Sequence, residues 1–437
     1  MPALYLDNFR GFKDTFIPLK KVNFLIGENS TGKSSILSLI YLLSSVNFWI
    51  MTKFNDQNVR FGSFYDIANR NSTKNDTFKV GFFNEEIDSD SNIQSVVMNF
   101  KNSKGIPKIS NISYISNDIV VVSRISDTGK SINYKATKLD ELNFTISDSD
   151  FFEKFVEYIG IQSKECGFKR MKIVPKYINR ISTLIQLINE EIESKNNNKE
   201  DLTVEVPTIV DNYHWIAPIR AKPSSTYDVY DTNYSPEGSH APYILNSILS
   251  SKKNEKKKEI IQTLEEFGED SGLFETLSID KFKKRSEVSP FEVDVTLGEE
   301  NYNITQVGYG VSQVFPILID LVATTPERWF SIQQPEVHLH PRAQASLGDL
   351  IFKLAFNEEK NFIIETHSDY LVDRFRLNIH KNREDKKIDS QVLYFERNNS
   401  GNSVYPIEIN DDGKYSKDQP DSFREFFLNE SLNLLEI

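Results

Sequence analysis

A single cysteine, Cys166, stands among 437 residues. That excludes an internal disulfide framework and any zinc site built from cysteines. Long apolar runs are missing as well: none approaches the roughly 20 residues that cross a bilayer. Asp7, Arg10 and Lys13 interrupt the stretch where a basic-then-apolar secretion signal would lie. These absences predict a cytoplasmic protein, made in a reducing compartment, with no membrane partner. Positive charge is also in short supply. The formal net charge is −12, which argues against a broad, unspecific nucleic-acid surface. Two local basic clusters run against that balance: Lys252, Lys253, Lys256, Lys257 and Lys258, then Lys281, Lys283, Lys284 and Arg285. The first has no interleaved aromatic residues and reads as a solvated helix end rather than a base-stacking platform. At 39% hydrophobic residues, the chain can fill one large composite core or two sizeable ones.

What is present is concentrated in Gly27-Glu28-Asn29-Ser30-Thr31-Gly32-Lys33-Ser34, a complete G-x-x-x-x-G-K-[ST] pattern. Val22 to Ile26 read as a buried strand before it. Ile36, Leu37, Leu39, Ile40, Leu42 and Leu43 give the segment after it the faces of a buried helix. A phosphate loop needs that strand–loop–helix context. Glycines let the backbone wrap close to phosphate, and the helix start presents unpaired N–H groups. Lys33 can reach the β/γ oxygens and the Ser34 hydroxyl can ligate magnesium. The expected ligands are ATP and Mg2+, held by Asn29, Ser30, Thr31, Gly32, Lys33, Ser34 and Ser35.

Upstream, Leu6 to Phe12 read L-D-N-F-R-G-F, and a second short apolar segment follows, so two strands are expected before the nucleotide strand. This opening resembles the ABC-type ATPase heads of the RecF, SMC and OLD group. The resemblance implies that Arg10 lies against the nucleotide phosphates, a role suited to a guanidinium. Downstream, Val307-Gly308-Tyr309-Gly310-Val311-Ser312-Gln313 opens a helix that is apolar at 314, 315, 317, 318, 321 and 322, with Ser312 placed to be its N-cap. A capped helix start is an anion site. The element is similar to the V-G-x-G-V-S-Q signature of OLD-like prokaryotic ATPases, which implies that Ser312 meets a γ-phosphate across a dimer interface.

Trp329 to Pro341 resemble the Walker B strand and D-loop of the same family, with a departure. Gln333 stands where the family has its magnesium-holding acid, and Gln334 where it has the catalytic glutamate. Glutamine can ligate through its amide oxygen or orient water, but it cannot accept a proton at neutral pH. Slow hydrolysis is expected, with Glu336 as first candidate for the base and Glu365 as second. Glu365-Thr366-His367-Ser368 ends the next buried strand and resembles the family's switch-histidine element, which makes His367 the γ-phosphate sensor. His338 and His340 lack a third ligand at metal spacing and are expected to pack at a dimer seam rather than bind zinc. In the segment Trp215 to Pro223, Arg220 could face nucleotide, a partner or a structural ion pair. Phe61 to Ile67 fall where an ABC head has its Q-loop.

Between loop and signature the composition changes twice. Residues 78 to 148 alternate in short segments, including Gln94 to Asn99, Ile119 to Ser123 and Leu142 to Ile146, and predict an antiparallel β meander. Ile178, Ile181, Leu184, Ile185, Ile188 and Ile192 then form a helical stripe, ended by the polar run 194–199 and too short for the arms of an SMC protein. No D-x-D follows His367, so the Toprim nuclease site of OLD enzymes is not expected, and a nuclease would be a separate chain. The expected fold is α/β: an ABC-type ATPase head at 1–77 and 205–437, with an inserted β and helical region at 78–204. The resemblance extends to the ATPase halves of two-gene anti-phage systems such as PARIS or Septu. It implies a homodimer or larger homo-oligomer controlling a separately encoded effector, possibly a nuclease, with DNA or a phage protein as a further partner. The alternative is a RecF-like repair clamp that binds DNA itself.

Overall fold

The computed structural model describes residues 2–69, 77–84, 93–146, 148–172, 181–193, 206–228, 232–251, 256–282, 289–399 and 401–425. In chain order come strands β1 (Ala3–Asp7), β2 (Thr15–Pro18) and β3 (Val22–Gly27), then helices α1 (Lys33–Leu43), α2 (Val46–Met51) and α3 (Phe64–Ile67). Strands β4 (Thr77–Phe83), β5 (Ile93–Ser103), β6 (Ile106–Ser116), β7 (Ile119–Ile125) and β8 (Ile132–Lys138) follow. Next are α4 (Phe151–Gln162), β9 (Lys169–Arg170), α5 (Ile181–Glu193), β10 (Tyr213–Ile216), α6 (Ala241–Ser250) and α7 (Lys257–Ser271). Then come β11 (Thr276–Lys281), β12 (Phe291–Leu297), β13 (Glu300–Asn303), α8 (Tyr309–Ala323), β14 (Trp329–Gln333) and α9 (Pro341–Asn357). The order closes with β15 (Asn361–Glu365), α10 (Asp369–Lys381), β16 (Ser390–Asn398) and β17 (Gly401–Glu408).

The chain divides into two compact units, and neither is continuous in sequence. The first comprises Met1–Lys20, Glu28–Asn212 and Phe395–Pro406; the second comprises Lys21–Gly27, Tyr213–Tyr394 and Ile407–Ile437.

An eight-stranded sheet of order β2-β1-β4-β5-β6-β7-β8-β9 organises the first unit. Its neighbours from β4 to β8 are consecutive and antiparallel, which is the expected meander. Alternation puts Val97, Ile115, Val120 and Val122 on one face, where Phe151, Phe155 and Ile159 of α4 close a core over them. Residues 142–146 were expected as a further strand and are not one. Leu142, Phe144 and Ile146 pack into this same core, so their alternation serves burial and not a hydrogen-bonded ladder. On α5, the spaced Ile181, Leu184, Ile185 and Ile188 are all buried. Ile178 and the polar run 194–199 lie outside the described residues.

A six-stranded sheet runs β10-β14-β15-β3-β16-β17. β10, β14, β15 and β3 are mutually parallel neighbours. Buried over most of their length, β3 and β15 carry the apolar runs Phe24–Ile26 and Phe362–Ile364, as parallel strands covered on both sides do. The small sheet β11-β12-β13 completes the second unit. Of the two basic clusters, Lys252, Lys253, Lys283, Lys284 and Arg285 fall outside the described residues, as does most of the expected terminal helix.

Candidate functional site

In the second unit, the carboxyl ends of β14, β15 and β3 lie side by side, with Gln333 opposite Glu365 and Glu365 opposite Leu25. In an open parallel sheet, ligands bind outside such strand ends. β3 ends at Gly27, and the phosphate loop follows it directly.

The loop belongs to the first unit. α1 starts at Lys33 with Gly32 as its N-cap, at φ 100°. A Cβ at Gly32 would also stand 2.6 Å from the ring of Phe12, so both conformation and space demand glycine. The Glu28 carbonyl accepts from the Thr31 hydroxyl at 2.8 Å and from Lys33 Nζ at 2.7 Å. Lys33 is thus buried against the loop's own backbone, while Glu28, Asn29, Ser30 and Ser34 are exposed. Arg10 joins this cluster. Its backbone N–H donates to the Ile67 carbonyl at 2.6 Å, its Nη1 donates to Ser35 Oγ at 2.6 Å, and its guanidinium lies over Phe61. Burial lowers its pKa and nearby Asp66 raises it, with burial prevailing. The expected Q-loop segment is therefore a bracket for Arg10: Phe64–Ile67 form α3, started by a Ser63–Asp66 capping box.

In the second unit the two glutamines differ. Trp215 Nε1 donates to Gln333 Oε1 at 3.2 Å, and Gln333 Nε2 donates to Glu365 Oε2 at 3.0 Å. Gln334 takes a left-handed conformation at φ 45°, and its N–H donates to the Glu365 carbonyl at 2.7 Å. Arg220 holds the end of β14 through backbone carbonyls. Its Nη2 donates to the Gln333 carbonyl at 2.8 Å and its Nη1 to the Gln334 carbonyl at 3.3 Å. Burial pushes its pKa down to about 10, with Glu336 acting against the shift. Both oxygens of Glu336 are occupied: Oε2 accepts from Thr366 Oγ1 at 2.8 Å and Oε1 from the His367 N–H at 2.7 Å. Glu336 is in this way tied to the strand end that carries the exposed His367.

The structure corrects the expected signature cap. α8 begins at Tyr309, its N-cap is Gly308, and no side chain caps it. Ser312 lies one turn further in, and its Oγ donates to the Tyr309 carbonyl at 2.9 Å. The reason is Gly310, where a Cβ would stand 2.7 Å from the His338 carbonyl; without one, the helix starts early beneath the D-loop. Ser312 still borders a cavity of 250 Å³, shared with Lys222, Ser224, Tyr227, Ser239 and Tyr243. His338 stacks edge-on against Tyr309, and His340 caps α9 by accepting from the Ala343 N–H.

A different trio has metal-ligand chemistry: His214, His240 and Asp320, all buried, with ligand atoms within 4.8 Å of one another. The Ser235 N–H points at His240 Nδ1 from 3.3 Å, and His240 Nε2 lies 2.8 Å from Asp320 Oδ1. Because Nδ1 accepts, Nε2 carries the ring proton and donates it to the carboxylate. The hydrogen bond ties the start of α6 to α8.

Several contributors escaped the sequence. Asn402 bonds through its N–H to the Gly11 carbonyl at 2.8 Å, and its side chain covers Gly11 and Gly32. Trp215 and Thr366 hold glutamine and carboxylate in place. Gly11 lies in the turn between the bridge partners Phe9 and Phe12, and nothing along the chain pointed to Asn402 as its neighbour.

Loop, helix start, buried lysine and arginine bracket together define a P-loop nucleotide-binding protein. The chain belongs to the AAA ATPase domain family, whose model matches residues 1–372, and is an ATPase of that family. Among solved structures it is similar to the SMC head domain from Thermotoga maritima, at 12% identity and TM-score 0.35, covering 93% of this chain and 98% of that one. It is also similar to the Smc head domain of Pyrococcus furiosus, at 15% identity and TM-score 0.40, covering 100% and 99%. The Smc head domain of Pyrococcus yayanosii gives 13% identity and TM-score 0.41, covering 93% and 97%. No curated protein sequence matches the chain. Among the described residues no helix is long and apolar enough to cross a membrane.

Proposed function

We propose that this ATPase is a slow, nucleotide-gated clamp of the OLD-like ABC type. It closes as a homodimer or larger homo-oligomer on ATP and Mg2+, and it controls a separately encoded effector, a nuclease, in anti-phage defence. Lys33, Arg10 and the loop N–H groups from Asn29 to Ser35 bind the phosphates, and Ser34 faces the magnesium, whose charge neutralises the β/γ oxygens. Ser312 meets the nucleotide of the partner subunit, and His367 reads the γ-phosphate.

The observation that carries the reading is the pair Gln333–Gln334 at the end of β14. Neither side chain can take a proton from water, and the nearby Glu336 already accepts two hydrogen bonds. Loss of a positioned base slows such chemistry by about 10²–10⁴-fold, so the ATP-bound state persists long enough to act as a signal. Single-turnover hydrolysis combined with light scattering tests this. ATP should drive dimer formation at a rate well above that of phosphate release, and Ser312→Arg should abolish ATP-driven dimers while leaving ATP binding intact. Fast turnover, or dimers indifferent to Ser312→Arg, would contradict it. A DNA clamp would instead show tight, salt-dependent duplex binding that closes on ATP.

A further inference from the structure

The two hydrogen bonds of Gln333 fix which way its amide points. An indole N–H can only donate, so the atom facing Trp215 is the amide oxygen, and the nitrogen faces Glu365. Gln333 therefore turns its one ligating atom toward Trp215. Its neighbour across the ladder is a carboxylate. Gln333 and Glu365 are register partners on adjacent parallel strands, and side chains of such partners lie on the same face. Glu365 is 5% exposed and pairs in turn with Leu25, two residues before the glycine that opens the phosphate loop. Relative to Gln333 it stands one strand closer to the strand that delivers that loop.

We infer that Glu365 is the magnesium-binding carboxylate of this ATPase, moved one strand over from the position held by Gln333. The exchange explains why residue 333 is an amide. A second carboxylate beside Glu365 would set two negative charges against each other in a buried place, and one would have to keep a proton. Glutamine instead donates a hydrogen bond to Glu365 and adds no second charge beside it. Mg2+ is commonly held by one or two carboxylates plus the substrate phosphates, so a single displaced carboxylate suffices.

The inference rests on the proposed ATP site, and the test separates the two. ATP affinity is measured by calorimetry with Mg2+ and with EDTA, and Mn2+ binding to the ATP complex is followed by electron paramagnetic resonance. Failure of the wild type to bind ATP under both conditions would remove the site itself. Given binding, Glu365→Gln should leave affinity in EDTA unchanged while weakening Mn2+ binding about 10- to 100-fold, the scale seen when groups supporting a metal are lost. The double variant Gln333→Glu/Glu365→Gln, which returns the charge to β14 and keeps one amide and one acid, should recover most of it. Glu365→Asp, which preserves the charge, provides the reading if the amide variant does not fold, and should bind Mn2+ within a few-fold of wild type. Undiminished Mn2+ binding in Glu365→Gln, or its loss in Glu365→Asp with EDTA affinity intact, overturns the assignment.

Discussion

Lys33 is 3% exposed, and its ammonium bonds to the carbonyl of Glu28, five residues back. The same carbonyl holds Thr31, so Lys33 shapes the loop before it meets any phosphate. Removing the ammonium takes away a charge-assisted contact worth about 1.5–3 kcal/mol, or roughly 10- to 100-fold in affinity. Lys33→Ala should accordingly lose ATP binding in calorimetry by that factor, and affinity equal to wild type would mean the phosphates lie elsewhere. Gly32 shows why the loop was legible: its constraint is local, set by a left-handed backbone and a nearby ring. Gln333 shows the opposite. Its role comes from Trp215, 118 residues earlier, and Glu365, 32 residues later, and no pattern along the chain announces either partner.

At the scale of the element, α8 is the helix with most at stake, because it is buried along most of its length. Asp320, on that helix, anchors it to α6 through His240. Burial works against the Asp320 charge, but His214 and His240 outweigh it and hold the carboxyl below its ordinary range. A depressed carboxyl pKa contributes stability that is fully present above the unfolded value, near 3.9, and is lost as pH falls through the lower folded value. His240→Ala should cost about 1.5–3 kcal/mol, the worth of a hydrogen bond to a charged group, read from urea melts at neutral pH. The loss should shrink on acidification below about pH 4, as the pH falls from the unfolded value through the lower folded one. A variant as stable as wild type at neutral pH would show the hydrogen bond to be ornamental. Strands β3, β14 and β15 were readable because apolar runs flanked by motifs leave little choice. Two readings failed where one local signal met a stronger one. Ser312 lost the cap to two glycines upstream, and the alternation at 142–146 was spent on filling a core.

On the scale of the whole molecule, the chain passes between its two units at residues 20, 27, 212, 394 and 406. The first unit is incomplete without Phe395–Pro406, where Phe395 packs edge-on to Phe12 and Asn402 covers Gly11 and Gly32. A chain shortened to end at Tyr394 should therefore lose ATP binding and melt without a sharp transition, in contrast to the full chain. A cooperative melt with native ATP affinity would show that segment to be dispensable. The same feature sets an order in time. At 5–20 residues per second, on the order of half a minute of translation separates β1 from Asn402. Over that interval the meander can pair its own neighbouring strands, but the cover over the phosphate loop has not yet been made. Of the first unit's three segments, the one that covers the phosphate loop is therefore the last to leave the ribosome.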